Sequence, residues 1–206
     1  MESNFNIDLS NESLLANYLD AIYPTLFNGF EINREKDLEN QHKGIDIIIS
    51  KNDVNYFIDE KAQLDYVGKD LPTFAFEISY LKDSVQKLGW LYDTSKLTHK
   101  YFLITAIFLN EPSDFSKGFK SCKITSVDRG KLIELLNSKK LSVKRVDDLN
   151  NQIRNGNAEG GIPIDELDYY SEGKLFFSKT NKSEQPINLV LKLEFLINCG
   201  VAKRVI

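Results

Sequence analysis

Gly44-Ile45-Asp46-Ile47-Ile48-Ile49-Ser50-Lys51-Asn52-Asp53-Val54-Asn55-Tyr56-Phe57-Ile58-Asp59-Glu60-Lys61-Ala62-Gln63 decides how the chain is read. Gly44–Ser50 is short, β-branched and nearly all apolar, which is strand composition; Lys51-Asn52-Asp53 is turn-forming, and Tyr56–Gln63 supplies a second strand. The two predict a hairpin. Asp46 interrupts the isoleucines, and a carboxylate in such a strand is costly unless a cation or hydrogen-bond donors compensate it. On the second strand Asp59 and Lys61 stand two apart, so both side chains leave one face, in a row with Phe57 and Gln63, while Glu60 points the other way.

On neighbouring strands Asp46 and Asp59 converge, offering a hard divalent ion two oxygen ligands beside an ammonium group. This set suits phosphodiester hydrolysis. The metal would polarise a phosphoryl oxygen and acidify a bound water, while Lys61 orients that water or offsets charge on phosphorus. A plainer reading keeps Asp59-Glu60-Lys61 as the solvated face of an edge strand, with Lys61 paired to an acid and Asp46 capping a turn.

These residues resemble the PD-(D/E)XK nuclease superfamily, which has the restriction-endonuclease-like fold. Gly44-Ile45-Asp46 matches the first acid, and Ile58-Asp59-Glu60-Lys61-Ala62-Gln63 matches the apolar, acid, any residue, lysine and trailing glutamine pattern. The acids lie 13 positions apart, which suits two strands joined by a tight turn, and the proline that often precedes the first acid is missing. The likeness continues through Leu71–Ile78 and Gly89-Trp90-Leu91 to Tyr101-Phe102-Leu103, close to bacterial and phage members, and covers about half of the chain. It implies Mg²⁺, with Mn²⁺ able to substitute, held by Asp46, Asp59 and the Glu60 backbone carbonyl. It further implies that Lys61 serves the attacking water and that Gln63 assists. Glu12 and Asp20 fall where this superfamily often has an auxiliary carboxylate, although a solvated helix face is the simpler account of both.

Outward from the hairpin, Ser10 or Asn11 is expected to cap a helix carried by Leu14, Leu15, Tyr18, Leu19, Ile22 and Tyr23 until Pro24. Phe27–Ile32 reads as a short strand and Arg34–Lys43 as a charged surface loop. Thr73–Tyr80 alternates with a period of two, and Tyr101–Leu109 is a longer apolar strand; both are expected in one central sheet. Glu77, facing away from Phe74, Phe76 and Ile78, reads equally as a further ligand or as an exposed strand glutamate. A strand over Phe119–Val127 follows, then a helix opened by Asp128, a helix over Val146–Arg154, a loop over Asn155–Pro163 and a strand over Lys174–Thr180. Pro186–Asn198 fits either element, with its leucines and leading proline favouring helix. The expectation is one α/β domain over residues 1–206. Its restriction-endonuclease-like central mixed sheet, flanked by helices, spans about 10–110, and an elaborated C-terminal half spans about 111–206.

With 206 residues, 42% hydrophobic and 27% charged, 13 Phe and 9 Tyr, fibrous and disordered classes are excluded. A net charge of −4, from 26 basic and 30 acidic residues, argues against holding nucleic acid by bulk positive charge alone and leaves room for a local groove. Basic islands near Phe and Tyr offer one: Lys117, Lys120 and Lys123; Lys139, Lys140, Lys144 and Arg145; Lys203 and Arg204. Lys144 and Arg145 are taken as nucleic-acid contacts, against the alternative of solvated faces. Cys122 and Cys199, like His42 and His99, lack metal-ligand spacing, and the glycines at 156, 160 and 161 punctuate a loop. No apolar run approaches the roughly 18 residues of a membrane helix, and Met1-Glu2-Ser3-Asn4 lacks a leader pattern, so a cytoplasmic protein without a membrane partner is expected. The expected activity is Mg²⁺-dependent cleavage of DNA, the second half supplying substrate shape or contacts to a second copy in a homo-oligomer. The rival is a module on the same fold that binds nucleic acid or protein without cutting.

Overall fold

The computed structural model describes residues 2–156, 158–180 and 183–206, with side chains from residue 9 onward. The fold is mixed α/β, with five α-helices and two sheets among the described residues. No helix among them is long and apolar enough to cross a membrane. The chain forms two compact units, both discontinuous: Met1–Leu71 with Leu97–Asp128 and Lys203–Ile206, and Pro72–Lys96 with Arg129–Ala202. The first unit begins with α1 (Glu2–Leu26), β1 (Glu31–Arg34), α2 (Leu38–His42), β2 (Ile47–Lys51) and β3 (Val54–Ala62). The chain then supplies β4 (Thr73–Lys82) and β5 (Val85–Leu88) to the second unit before returning with β6 (Lys100–Glu111) and β7 (Asp114–Asp128). The second unit continues with α3 (Arg129–Ser138), α4 (Val143–Asn155), β8 (Gly160–Ile162), β9 (Gly173–Phe177), β10 (Ile187–Lys192) and α5 (Leu193–Asn198), and β11 (Ala202–Arg204) closes the chain.

The first unit is a six-stranded sheet, ordered β1-β2-β3-β6-β7-β11, with α1 on one face. Leu15, Leu19 and Tyr23 recur every four residues and bury one helix stripe against Ile47, Ile49, Ile58, Phe102 and Ile104. α1 begins well before Ser10, so neither Ser10 nor Asn11 caps it, and Pro24 lies inside its last turn, where it cannot donate to the Asp20 carbonyl and the helix ends two residues later. The hairpin forms as read. Asn52 and Asp53 alone connect Lys51 to Val54, both at positive φ (50° and 61°), the primed turn that matches strand twist. β3 then pairs in parallel with β6, which is buried on both faces from Tyr101 to Ile107, and β6 pairs antiparallel with β7.

Three further local expectations change. The strand after α1 starts only at Glu31, because Asn28-Gly29 turns the chain with Gly29 at φ 79°. Arg34–Lys43 is not all loop: Asp37 accepts hydrogen bonds from the N–H groups of Glu39 and Asn40 at 2.7 and 3.2 Å and starts α2. Thr73–Tyr80 is a strand with Phe74, Phe76 and Ile78 buried, yet it belongs to the second sheet, ordered β5-β4-β10-β9-β8 and antiparallel throughout. A period of two dictates strand but not partner. In that unit Pro186–Asn198 divides: Ile187, Leu189 and Leu191 alternate inward as β10 and Leu193–Asn198 turns into α5. Part of the expected 155–163 loop pairs with β9 as β8.

Candidate functional site

The site lies where β2 starts and β3 runs on past it. Asp46 stands one residue before β2, its N–H donating to the Ile58 carbonyl at 2.8 Å. Two residues further along β3, the Glu60 N–H has no ladder partner on this side and donates to Asp46 Oδ2 at 2.7 Å. A backbone donor therefore supplies part of the compensation that Asp46 requires.

Asp59 and Lys61 share one face of β3, opposite Tyr101 and Leu103 on β6. Asp59 is only 2% exposed, and Lys61 donates to its carboxylate in an ion pair. Burial first, and then the charge of Asp59, push the Asp46 carboxyl up to about 7, with Lys61 and the Glu60 N–H opposing the shift. The charges of Asp59 and Lys61 thus both act on the Asp46 carboxyl, in opposite directions.

Glu60 faces α1. The Tyr23 hydroxyl donates to its Oε1 and Arg34 Nη1 donates to its Oε2 at 2.7 Å. Arg34 also forks onto Asp20, with Nε at 2.9 and 2.8 Å from the two carboxylate oxygens and Nη2 2.7 Å from one of them. Burial weakens the guanidinium's charge, but hydrogen bonds to Asp20 and Glu60 outweigh it and raise its pKa above the ordinary value. Burial and the charge of Glu60 raise the Tyr23 phenol likewise. Glu12, Arg34, Gln41, Asp46, Glu60 and Lys61 line a cleft of about 530 Å³ beside α1.

The remaining sequence-derived residues are placed as follows. Glu12 joins this cleft, and Asp20 is engaged by Arg34. Gln63 follows β3 by one residue, its N–H donating to the Ile104 carbonyl at 3.0 Å. Glu77 is on β4, in the second unit. Lys144 and Arg145 open α4 in the same unit: Lys144 is exposed, whereas Arg145 is ion-paired with Glu166, near Asp148 and Asp165. Among the described residues no group of three or more His, Cys, Asp or Glu side chains is placed to hold a metal. The set read from the sequence comprises two carboxylates and a backbone carbonyl.

Tyr23, Arg34 and the side chain of Glu60 were missed. One signal was available: a phenol on the buried stripe with Leu15 and Leu19 needs an acceptor.

A scan against protein-family models and searches of curated proteins and solved structures give no match.

Proposed function

We propose that the chain is a Mg²⁺-dependent nuclease of the PD-(D/E)XK type, hydrolysing phosphodiester bonds in DNA, with the first unit as its restriction-endonuclease-like catalytic fold. One observation carries this reading: Asp46 lies within electrostatic reach of the buried Asp59 and its ion-pair partner Lys61, and burial first, then the Asp59 charge, raise the Asp46 carboxyl to about 7. Two carboxylates that resist joint ionisation favour a cation between them.

The donor chemistry fits a hard divalent ion. Asp46 and Asp59 would hold it, joined by the Glu60 carbonyl, since the N–H and C=O of a strand residue leave the same edge and the Glu60 N–H already meets Asp46. When bound, the ion would polarise the phosphoryl oxygen and lower the pKa of a coordinated water. Lys61 would orient the attacking water or offset charge accumulating on the phosphoryl oxygens. The hydrogen bonds from Tyr23 and Arg34 to Glu60 fix the end of β3 that carries Asp59, the Glu60 carbonyl and Lys61.

Calorimetric titration with Mg²⁺ and Mn²⁺ tests the site. Wild-type protein is expected to bind both, and Asp59→Ala to lose most of the affinity; equal affinity in the two proteins contradicts the assignment. Ca²⁺ is expected to bind without supporting cleavage, because it tolerates looser geometry and acidifies water less.

A further inference from the structure

A second cleft of about 530 Å³ opens in the first unit at the C-terminal end of α1. Its floor is the buried trio Ile49, Ile58 and Phe102. Its walls are aromatic. Phe27 lies nearly parallel to Phe102, with centroids 5.5 Å apart at 11°, and Phe30 stands edge-on to Phe27 at 6.4 Å. Tyr56, on the interior strand β3, keeps 37% of its surface exposed beside them.

The charges around this cleft have one dominant sign. Its charged lining residues are Lys100, Lys203 and Arg204, and Lys51 sits over the Phe30 ring at 4.5 Å. Asp128 meets Lys100 at 3.0 Å. On a chain of net charge −4, cations gathered around an aromatic pocket are complementary to a flat anion. A lipid surface or an acidic peptide would satisfy the cations but leave the ring faces unused. An unstacked nucleotide satisfies both, its base against the rings and its phosphates on the rim, and the volume suits one.

We propose that this cleft binds single-stranded nucleic acid, with an unpaired base against Tyr56 and Phe30 and backbone phosphates at Lys203 and Arg204. The proposal rests on the nuclease reading only for its setting. Tyr56 and Glu60 lie on one face of β3, four residues or roughly 13 Å apart along the strand, whereas Asp59 and Lys61 leave the opposite face, so the cleft is a site of its own on the α1 side of the sheet.

The test is the anisotropy of a fluorescein-labelled oligo(dT) in EDTA, where no metal-dependent cleavage intervenes. Tyr56→Leu keeps an apolar side chain and removes the ring, and is expected to weaken binding at least about fivefold. Tyr56→Phe should retain it. Polyphosphate should bind Tyr56→Leu and parent alike, because it has no base. Replacing Lys203 and Arg204 by Ala should flatten the log–log salt dependence by about 1.4, roughly 0.7 per contact to a single strand. Tyr56→Leu binding oligo(dT) like the parent, or an unchanged salt slope in the double variant, overturns the proposal. So does a self-association, seen by sedimentation, that Tyr56→Leu abolishes, since a second copy would then occupy the cleft. Cleavage that persists without these binding effects sinks this proposal alone. The binding effects without metal-dependent cleavage sink the nuclease reading alone.

Discussion

Asp46 is held between two demands, since burial and Asp59 favour its protonated form while the proposed metal site needs its anion. The sign of the resulting pH dependence follows directly. A folded-state pKa raised to about 7 means that the folded protein binds a proton which the unfolded chain has released. Without metal, the stabilisation linked to Asp46 is complete below the ordinary aspartate value of about 3.9 and is lost as pH rises to about 7. Asp46→Asn should therefore stabilise the metal-free protein at pH 8 by about 1–3 kcal/mol while abolishing metal binding. Urea denaturation across pH checks this, and a variant that is less stable at pH 8 contradicts it. For Lys61, replacement by Ala should lower turnover about a hundredfold or more with much of the Mg²⁺ affinity kept, since an ammonium group is not a ligand. Undiminished turnover would make Lys61 a surface charge. These three residues were legible because a period of two and a short turn are local rules. The Glu60 side chain, Tyr23 and Arg34 were not, because their meeting depends on how α1 lies across the sheet.

At the scale of elements, β3 owes its role to outrunning β2: the ladder ends at Ile47, and Asp46 takes over the next donor. The strand end is then clamped from the α1 side by Tyr23 and Arg34. Arg34→Ala would leave Glu60, whose side chain is 11% exposed, without its cation, and would release Asp20, which is 40% exposed. Partial exposure reduces the cost below that of a fully buried pair, to about 2 kcal/mol. A denaturant midpoint equal to the parent's would show that the clamp contributes nothing. The hairpin was readable as an element, down to Asn52-Asp53 as its turn. The partner of Thr73–Lys82 was not, since its alternation serves β10 and β5 as well as it would serve the first sheet. Ile187–Asn198 misled because one apolar run contains both a strand, with alternating burial, and the helix that follows it.

For the whole molecule, charge distribution outweighs net charge. Arg145, at the head of α4, faces Glu166 with Asp148 and Asp165 nearby, an acidic setting that disfavours phosphate, whereas Lys203 and Arg204 rim an aromatic cleft. Replacing Lys144 and Arg145 together should leave the salt slope of DNA binding unchanged; a fall of about 1.8, roughly 0.9 per lost duplex contact, would return them to the nucleic-acid path. Counts of basic residues could not separate these islands, because Glu166, the acid that pairs with Arg145, comes from elsewhere in the chain. The central claim is hydrolysis at Asp46 and Asp59, and its most direct measurement is cleavage of labelled DNA by wild-type protein and Asp59→Asn, each with Mg²⁺ and with EDTA. Products are expected from wild type with Mg²⁺ alone. Products in EDTA, equal cleavage by Asp59→Asn, or intact DNA in every arm would contradict the account.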